Sequence, residues 1–213
     1  MNLNRRITNK VNWILDNIIP PVLRDSKVFM GLWFRLLFGE KTKYFLEFKE
    51  KAPFLSQEEY EHYYRMLSDR HIQRKTDLND ECITKILSSV VGEFVLDIGC
   101  GRGYLVNKIA SEKRIRVSGV DISVPELQDQ AEGVTFIQKN IEDLPFPDKS
   151  FDTVICTHTI EHLLDPQKVI REIRRVARKK IIIVVPRQRE YRFTFDLHIH
   201  FFPYDILADS GAS

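Results

Sequence analysis

The stretch Phe94-Val95-Leu96-Asp97-Ile98-Gly99-Cys100-Gly101-Arg102-Gly103-Tyr104-Leu105 decides how the rest of this chain is read. Phe94, Val95, Leu96 and Ile98 make a short apolar run of the kind that forms a buried parallel strand. Three glycines then fall at alternate positions, Gly99, Gly101 and Gly103. Beyond them Leu105, Ile109 and Ala110 recur at helical spacing. Strand, glycine turn and helix form the first crossover of a nucleotide-binding α/β unit. Glycines there let the backbone turn tightly and let a ligand lie against it.

The spacing separates ligand classes. A dinucleotide fingerprint needs Gly-x-Gly-x-x-Gly, which after Gly99 and Gly101 would place a glycine at residue 104, where the chain has Tyr104. The chain instead reads Asp-x-Gly-x-Gly-x-Gly. A carboxylate at Asp97 would repel a pyrophosphate but suits a ligand carrying an ammonium or sulfonium charge. The pattern resembles the first motif of the class I S-adenosylmethionine-dependent methyltransferases. That resemblance implies S-adenosylmethionine as cofactor, against Asp97, Gly99, Cys100, Gly101 and Gly103.

Further motifs extend the resemblance. Ile115, Val117 and Val120 give a second strand ending at Asp121, with Ile122 beside it. An acid at this distance is placed to accept hydrogen bonds from ribose hydroxyls, or else to cap the next helix. A third strand, residues 134–137, leads to Asn140-Ile141-Glu142-Asp143-Leu144-Pro145-Phe146, then Ser150-Phe151-Asp152 and a fourth strand, residues 153–156, ending before Thr157. This run resembles the Asp-Ala-x-x-Leu-Pro-Phe and Ser-Phe-Asp signature of the small-molecule methyltransferases of the ubiquinone and menaquinone biosynthesis type. The family's acid that contacts the adenine amine is replaced by Asn140, whose side-chain oxygen still accepts a hydrogen bond, without charge. Glu161-His162-Leu163-Leu164-Asp165-Pro166 resembles the family's next motif.

Val169, Ile170, Ile173, Val176 and Ala177 form a helical stripe with Arg171, Arg174, Arg175 and Arg178 on other faces, and residues 181–185 make a fifth strand. Strands alternating with helices predict an α/β, doubly wound, mainly parallel Rossmann-like sheet. The expected division is an N-terminal helical cap over residues 1–75 and a cofactor-binding core over 76–213. The resemblance implies seven strands and only five are read, so the C-terminal strands are expected to be missing or truncated.

A net charge of +2 gives no general attraction to nucleic acid, and a hydrophobic fraction of 43% suffices for a sizeable core. Three cysteines, Cys82, Cys100 and Cys156, suit free thiols in a reducing, cytoplasmic setting. Cys100 reads as a small residue packed beneath the glycine loop, with a nucleophilic role as the alternative. Residues 1–51 carry ten Lys or Arg against five Asp or Glu and include the apolar run of residues 28–38. That run is too short to span a bilayer. Such a basic, aromatic segment either covers the substrate cleft as a lid or touches a membrane surface through residues 11–38. Ser56 and Glu59 predict a capping box at the start of a helix through Tyr60, Tyr63, Tyr64 and Leu67.

Catalysis by methyl transfer asks mainly for alignment and exclusion of water. A general base helps with a hydroxyl or acidic-carbon acceptor, and the candidates are His158, after the fourth strand, and His198 and His200 late in the chain. Asp196, His198 and His200 alternate and would share a face if the segment were a strand, but no metal site is expected from them. The reading is a methyltransferase acting on a small molecule or a lipid- or glycan-linked acceptor. The alternatives are a methyltransferase-like binding module without catalysis and an NAD-dependent oxidoreductase.

Overall fold

Two separate sets of apolar residues organise the chain. The computed structural model describes residues 13–14, 17–68, 75–124, 130–193 and 196–203. These fall into an N-terminal unit, which also takes in residues 189–203, and a sheet unit built on residues 75–188. The basic opening of the chain, residues 11, 12, 15 and 16 of the apolar segment, and everything beyond residue 203 lie outside the described residues.

The N-terminal unit contains helices α1 (Pro21–Arg24), α2 (Lys27–Phe38), α3 (Thr42–Lys51) and α4 (Gln57–Ser68). Pro21 opens α1, where its missing N–H costs nothing. Ser26 caps α2 by accepting a hydrogen bond from the Phe29 N–H. The capping box forms as its spacing predicts: the Glu59 N–H donates to Ser56 Oγ at 3.3 Å, and the Ser56 N–H to Glu59 Oε2 at 2.8 Å. Phe34, Phe45, Phe48, Ala52 and Leu67 are fully buried or nearly so. Phe38 stacks on Phe45 at 3.9 Å, and Tyr60 tilts against Phe48 at 5.8 Å, so this tyrosine is a packing residue.

Residues 189–203 join this unit through polar bonds. Lys49 Nζ donates to the Tyr191 carbonyl at 2.8 Å and pairs with Glu190 at 2.7 Å, while the Arg24 guanidinium lies 5.4 Å from the Tyr191 ring centre. The alternation of Asp196, His198 and His200 does not translate into a strand face. Residues 196–200 form no strand, and Leu197 turns the backbone with a φ of 56°.

The sheet unit contains α5 (Asp80–Ser89), β1 (Phe94–Ile98), α6 (Tyr104–Lys113), β2 (Arg116–Asp121), β3 (Val134–Gln138), β4 (Phe151–Thr157), α7 (Pro166–Val176) and β5 (Ala177–Val184). The strand order is β3-β2-β1-β4-β5 and every pair is parallel. The central strands read as continuous apolar runs because both faces are covered. Val95, Val117 and Ile155 pack in one cluster with Leu105, Val106 and Ile109 of α6 and with Ile83 and Ile86 of α5. On α7, Val169, Ile173 and Val176 are buried.

The fifth strand starts at Ala177, four residues before the apolar run that announces it in the sequence. The reason is Asp152. Its carboxylate accepts hydrogen bonds from the N–H groups of Glu93 at 3.0 Å and Phe94 at 3.2 Å, and from Arg178 Nη2 at 2.6 Å. Lys179 Nζ lies 3.0 Å away. The basic beginning of β5 is thus held to β4, and both to the entrance of β1. Gly92 passes so close that a Cβ there would lie 2.3 Å from the Asp152 carboxyl carbon. Burial opposes the charge on Asp152, but bonds from Lys179, the Glu93 N–H, Arg178 and the Phe94 N–H outweigh it and hold its pKa well below the carboxylate range.

A carboxylate whose folded pKa is depressed stabilises the fold above its unfolded pKa, and that stabilisation disappears as pH falls toward the folded value. Asp152→Asn is therefore expected to cost roughly 2–4 kcal/mol at neutral pH, because it leaves two cations and two N–H groups poorly matched. Urea unfolding at a series of pH values checks this. The gap between the two proteins should narrow below about pH 4.

Candidate active site

The strand order places a switch point between β1 and β4. From β1 the chain moves outward through β2 and β3, then returns on the other side of β1 at β4. In parallel sheets the crevice beyond the carboxyl ends at such a point is where ligands bind. The glycine loop lies there, curled over β2: the N–H groups of Gly99 and Cys100 both donate to the Val120 carbonyl, at 2.8 and 3.1 Å. At Gly99 a Cβ would meet Thr159 Oγ1 at 2.1 Å, so this position requires glycine for close packing. Gly101 differs, because its φ is +50° and a Cβ there would have nothing within 4 Å. Its backbone faces open space. A Cβ at Gly103 would strike the Phe136 ring at 2.4 Å.

Two carboxylates sit at the tips of adjacent strands. Asp97, on β1, is buried and its Oδ1 finds no hydrogen-bond donor among the described residues. Burial, with the neighbouring Asp121 charge adding to it, pushes its pKa up to about 8. Asp121, ending β2, accepts the Gly101 N–H on Oδ2 at 2.8 Å and the Ser123 N–H on Oδ1 at 3.1 Å. Its pKa is also raised by burial, against the pull of those N–H groups and that of Ile122. Cys100 has its thiol pushed up by burial and then by Asp97 and Asp121, and a Cβ at Gly119 would lie 2.8 Å from its sulfur. A protonated, packed thiol beneath the loop is the account the geometry favours over a nucleophile.

The segment after β3 forms a third part of the crevice. Asn140 Oδ1 accepts the Glu142 N–H at 2.9 Å, which turns its side-chain oxygen onto its own backbone, and Ile141 is buried. This segment is held from α7. Arg175 donates to the carbonyls of Phe146 at 2.6 Å and Leu144 at 3.1 Å, and pairs with Asp148 at 3.0 Å and Glu172 at 2.7 Å. Glu172 also accepts the Leu144 N–H at 2.9 Å. Arg175 therefore does not merely face solvent with the other arginines of its helix. The only sequence signal for it is the three-residue spacing from Glu172.

At the end of β4, Thr157 leads into His158, whose φ of 51° is unusual for a residue with a side chain. Its N–H donates to the Val184 carbonyl at 2.9 Å, and its Nδ1 lies 3.3 Å from Oε1 of the fully buried Glu161. Thr159 Oγ1 donates to the Thr157 carbonyl at 3.0 Å and reaches the Ile98 carbonyl at 3.5 Å, lacing the ends of β4 and β1 together. Glu161 and His162 share the short 3-10 turn Ile160–His162. The fold thus brings Asp97, Gly99, Cys100, Gly101, Gly103, Asp121, Ile122, Asn140, Ile141, Thr157 and His158 to the carboxyl ends of β1 to β4 and the segments that follow them. His198 and His200 belong to the N-terminal unit.

This crevice falls within a family match. Residues 96–185 match the sequence model described as a methyltransferase domain. Residues 96–185 are a class I methyltransferase domain. The chain is 38% identical over 101 residues to ajmaline N-methyltransferase of Rauvolfia serpentina, covering 43% of this chain and 34% of that protein. It is 32% identical over 101 residues to an O-methyltransferase of Aspergillus sclerotiorum, covering 43% and 38%. A protein of Mycobacterium tuberculosis named as a probable S-adenosylmethionine-dependent methyltransferase is 34% identical over 102 residues, covering 47% and 37%. The chain spans little more than a third of the length of each of these three relatives. The methyltransferase domain contains both tip carboxylates, the glycine loop and His158.

Asp97 generates a test in the absence of any ligand. Its folded pKa is raised, so its contribution to stability is full below its unfolded pKa and is lost as pH rises toward about 8. Asp97→Asn should therefore be more stable than the parent at neutral pH. Thermal unfolding should show the difference widening from about pH 4 upward, the ordinary carboxylate range, and levelling above about 8. An equal offset at every pH would mean that Asp97 is not a buried, unpaired acid.

Proposed function

We propose that this chain binds S-adenosylmethionine at the β1–β4 crevice and transfers its methyl group to a small-molecule or lipid- or glycan-linked acceptor. The observation that carries this reading is Asp97. A buried carboxylate with an unpartnered oxygen is costly, and a cationic ligand group beside it would restore its charge. The backbone of Gly101 offers the adjacent open space, and the donor set fits the cofactor's positive methionine end, ribose and adenine in turn.

The residues divide the work as follows. Asp97 and the loop from Gly99 to Gly103 hold the charged end, with Cys100 supporting the loop from beneath. Asp121 accepts the ribose hydroxyls while its second set of lone pairs keeps the Gly101 N–H. Ile122, Asn140 and Ile141 line the adenine side, with Arg175 and Glu172 fixing the segment that carries them. Thr157 closes the crevice at the end of β4. The cofactor supplies a methyl group already activated by its positive sulfur, so the protein's remaining tasks are alignment and the exclusion of water. His158 is the base we favour. With Nδ1 turned to Glu161, its Nε2 is the nitrogen left to take a proton from the acceptor. The relatives named above include an N- and an O-methyltransferase, so the domain by itself does not select the acceptor atom.

Calorimetry on the full chain tests the cofactor assignment. S-adenosylmethionine should bind and NAD should not, and Asp121→Ala should weaken the cofactor by about 1.5–3 kcal/mol. Gly101→Val should abolish binding, since a branched side chain would fill the open space and resist the positive φ. Binding of NAD in place of the sulfonium ligand would defeat the reading. His158→Ala should leave cofactor affinity unchanged yet lower turnover of a hydroxyl acceptor by roughly 10²–10⁴-fold, read as demethylated cofactor formed.

A further inference from the structure

Helix α2 has two apolar faces, and among the described residues only one of them is buried. Met30 and Phe34 are buried, with Phe34 edge-on and Phe38 stacked against Phe45 of α3. A helix packed along one stripe ordinarily shows polar residues on the other side. Here Val28, Leu32 and Leu36 follow at four-residue spacing away from the packed stripe and are 85, 64 and 74% exposed, with Trp33 beside them at 51%. Val22 and Leu23 of α1, just ahead, are exposed too. A single exposed leucine needs no explanation, but a continuous stripe marks a contact surface.

The charges around the stripe indicate which kind. The only ionisable residues of α2 are Lys27 and Arg35, both exposed. Across residues 25–43 four Lys or Arg, none of them buried, stand against two Asp or Glu. An apolar stripe with a tryptophan and a cationic border suits the interface of a negatively charged bilayer. At about 1.5 Å per residue, twelve residues reach about 18 Å, short of the roughly 30 Å of a hydrocarbon core. No described helix is long and apolar enough to cross a membrane.

We propose that α2 lies in the plane of an anionic phospholipid surface, with Val28, Leu32, Trp33 and Leu36 among the acyl chains and Lys27 and Arg35 on headgroup phosphates. This goes beyond methyl transfer and rests on the N-terminal unit alone. Co-sedimentation of the full chain tests it, with vesicles of phosphatidylcholine and of phosphatidylcholine mixed with phosphatidylglycerol. The chain should pellet with the mixed vesicles, less so in high salt. Leu32→Glu with Leu36→Glu should lower partitioning by roughly tenfold or more. Lys27→Glu with Arg35→Glu should remove the preference for anionic vesicles. Both variants should keep the parent's circular dichroism and S-adenosylmethionine affinity, since the substituted residues are exposed and outside the sheet unit. In a Trp13→Phe background, Trp33 fluorescence should shift to the blue on adding mixed vesicles. A parent chain left in the supernatant, a leucine variant that pellets like the parent, or no fluorescence shift would overturn the proposal. So would a lipid-free dimer that the leucine variant turns into a monomer, which would assign the face to a second copy.

Discussion

Two aspartates on neighbouring central strands set the character of the sheet unit, because they are buried in opposite electrostatic states. Asp152, at the start of β4, has backbone N–H groups, an arginine and a lysine around it and stays ionised well into acid. Asp97, near the end of β1, has an oxygen with no donor among the described residues, and its pKa is pushed up to about 8. One end of the β1–β4 pair is therefore satisfied internally. The other is left with a cost that the fold itself does not offset. Free energy spent at one end of a strand pair and secured at the other is the usual relation between a binding site and its scaffold.

The surrounding contacts keep that unsatisfied end open yet ordered. Gly99 lets the loop pack directly on Thr159, and Thr159 in turn reaches the carbonyls of Ile98 and Thr157. Asp121 holds the Gly101 N–H, so the position with free space before it is fixed from β2. On the far side Arg175 grips the carbonyls of Leu144 and Phe146. Each loop around the crevice is tied by a side chain from another element, which is how surface loops acquire the precision of a rigid scaffold.

Much of this arrangement is legible in the sequence because it depends on local pattern. The apolar run and alternate glycines announce β1, the turn and α6, and Asp121 follows from its distance. The Ser56–Glu59 capping box is a four-residue signal and forms as such. What the sequence conceals depends on partners far along the chain. The early start of β5 follows from Arg178 and Lys179 reaching Asp152, and basic residues carry no strand signal of their own. Arg175 looks like one more exposed arginine until its backbone acceptors, roughly thirty residues earlier, are known. The alternation at Asp196, His198 and His200 suggests a strand, but Leu197 sits at positive φ and breaks the extended backbone, so residues 196–200 are irregular and belong with the N-terminal helices.

In the proposed site Asp97 is an acid held neutral until a cationic ligand group arrives beside its unpartnered oxygen. Proton release on binding measures this directly. Calorimetric titration of S-adenosylmethionine into the full chain at about pH 6.5, in buffers of different ionisation enthalpy, counts the protons exchanged. Up to roughly one proton per ligand should be released as Asp97 ionises against the cationic group. Binding with no proton released would show that Asp97 was already ionised or does not meet the ligand's charge, and would contradict this assignment.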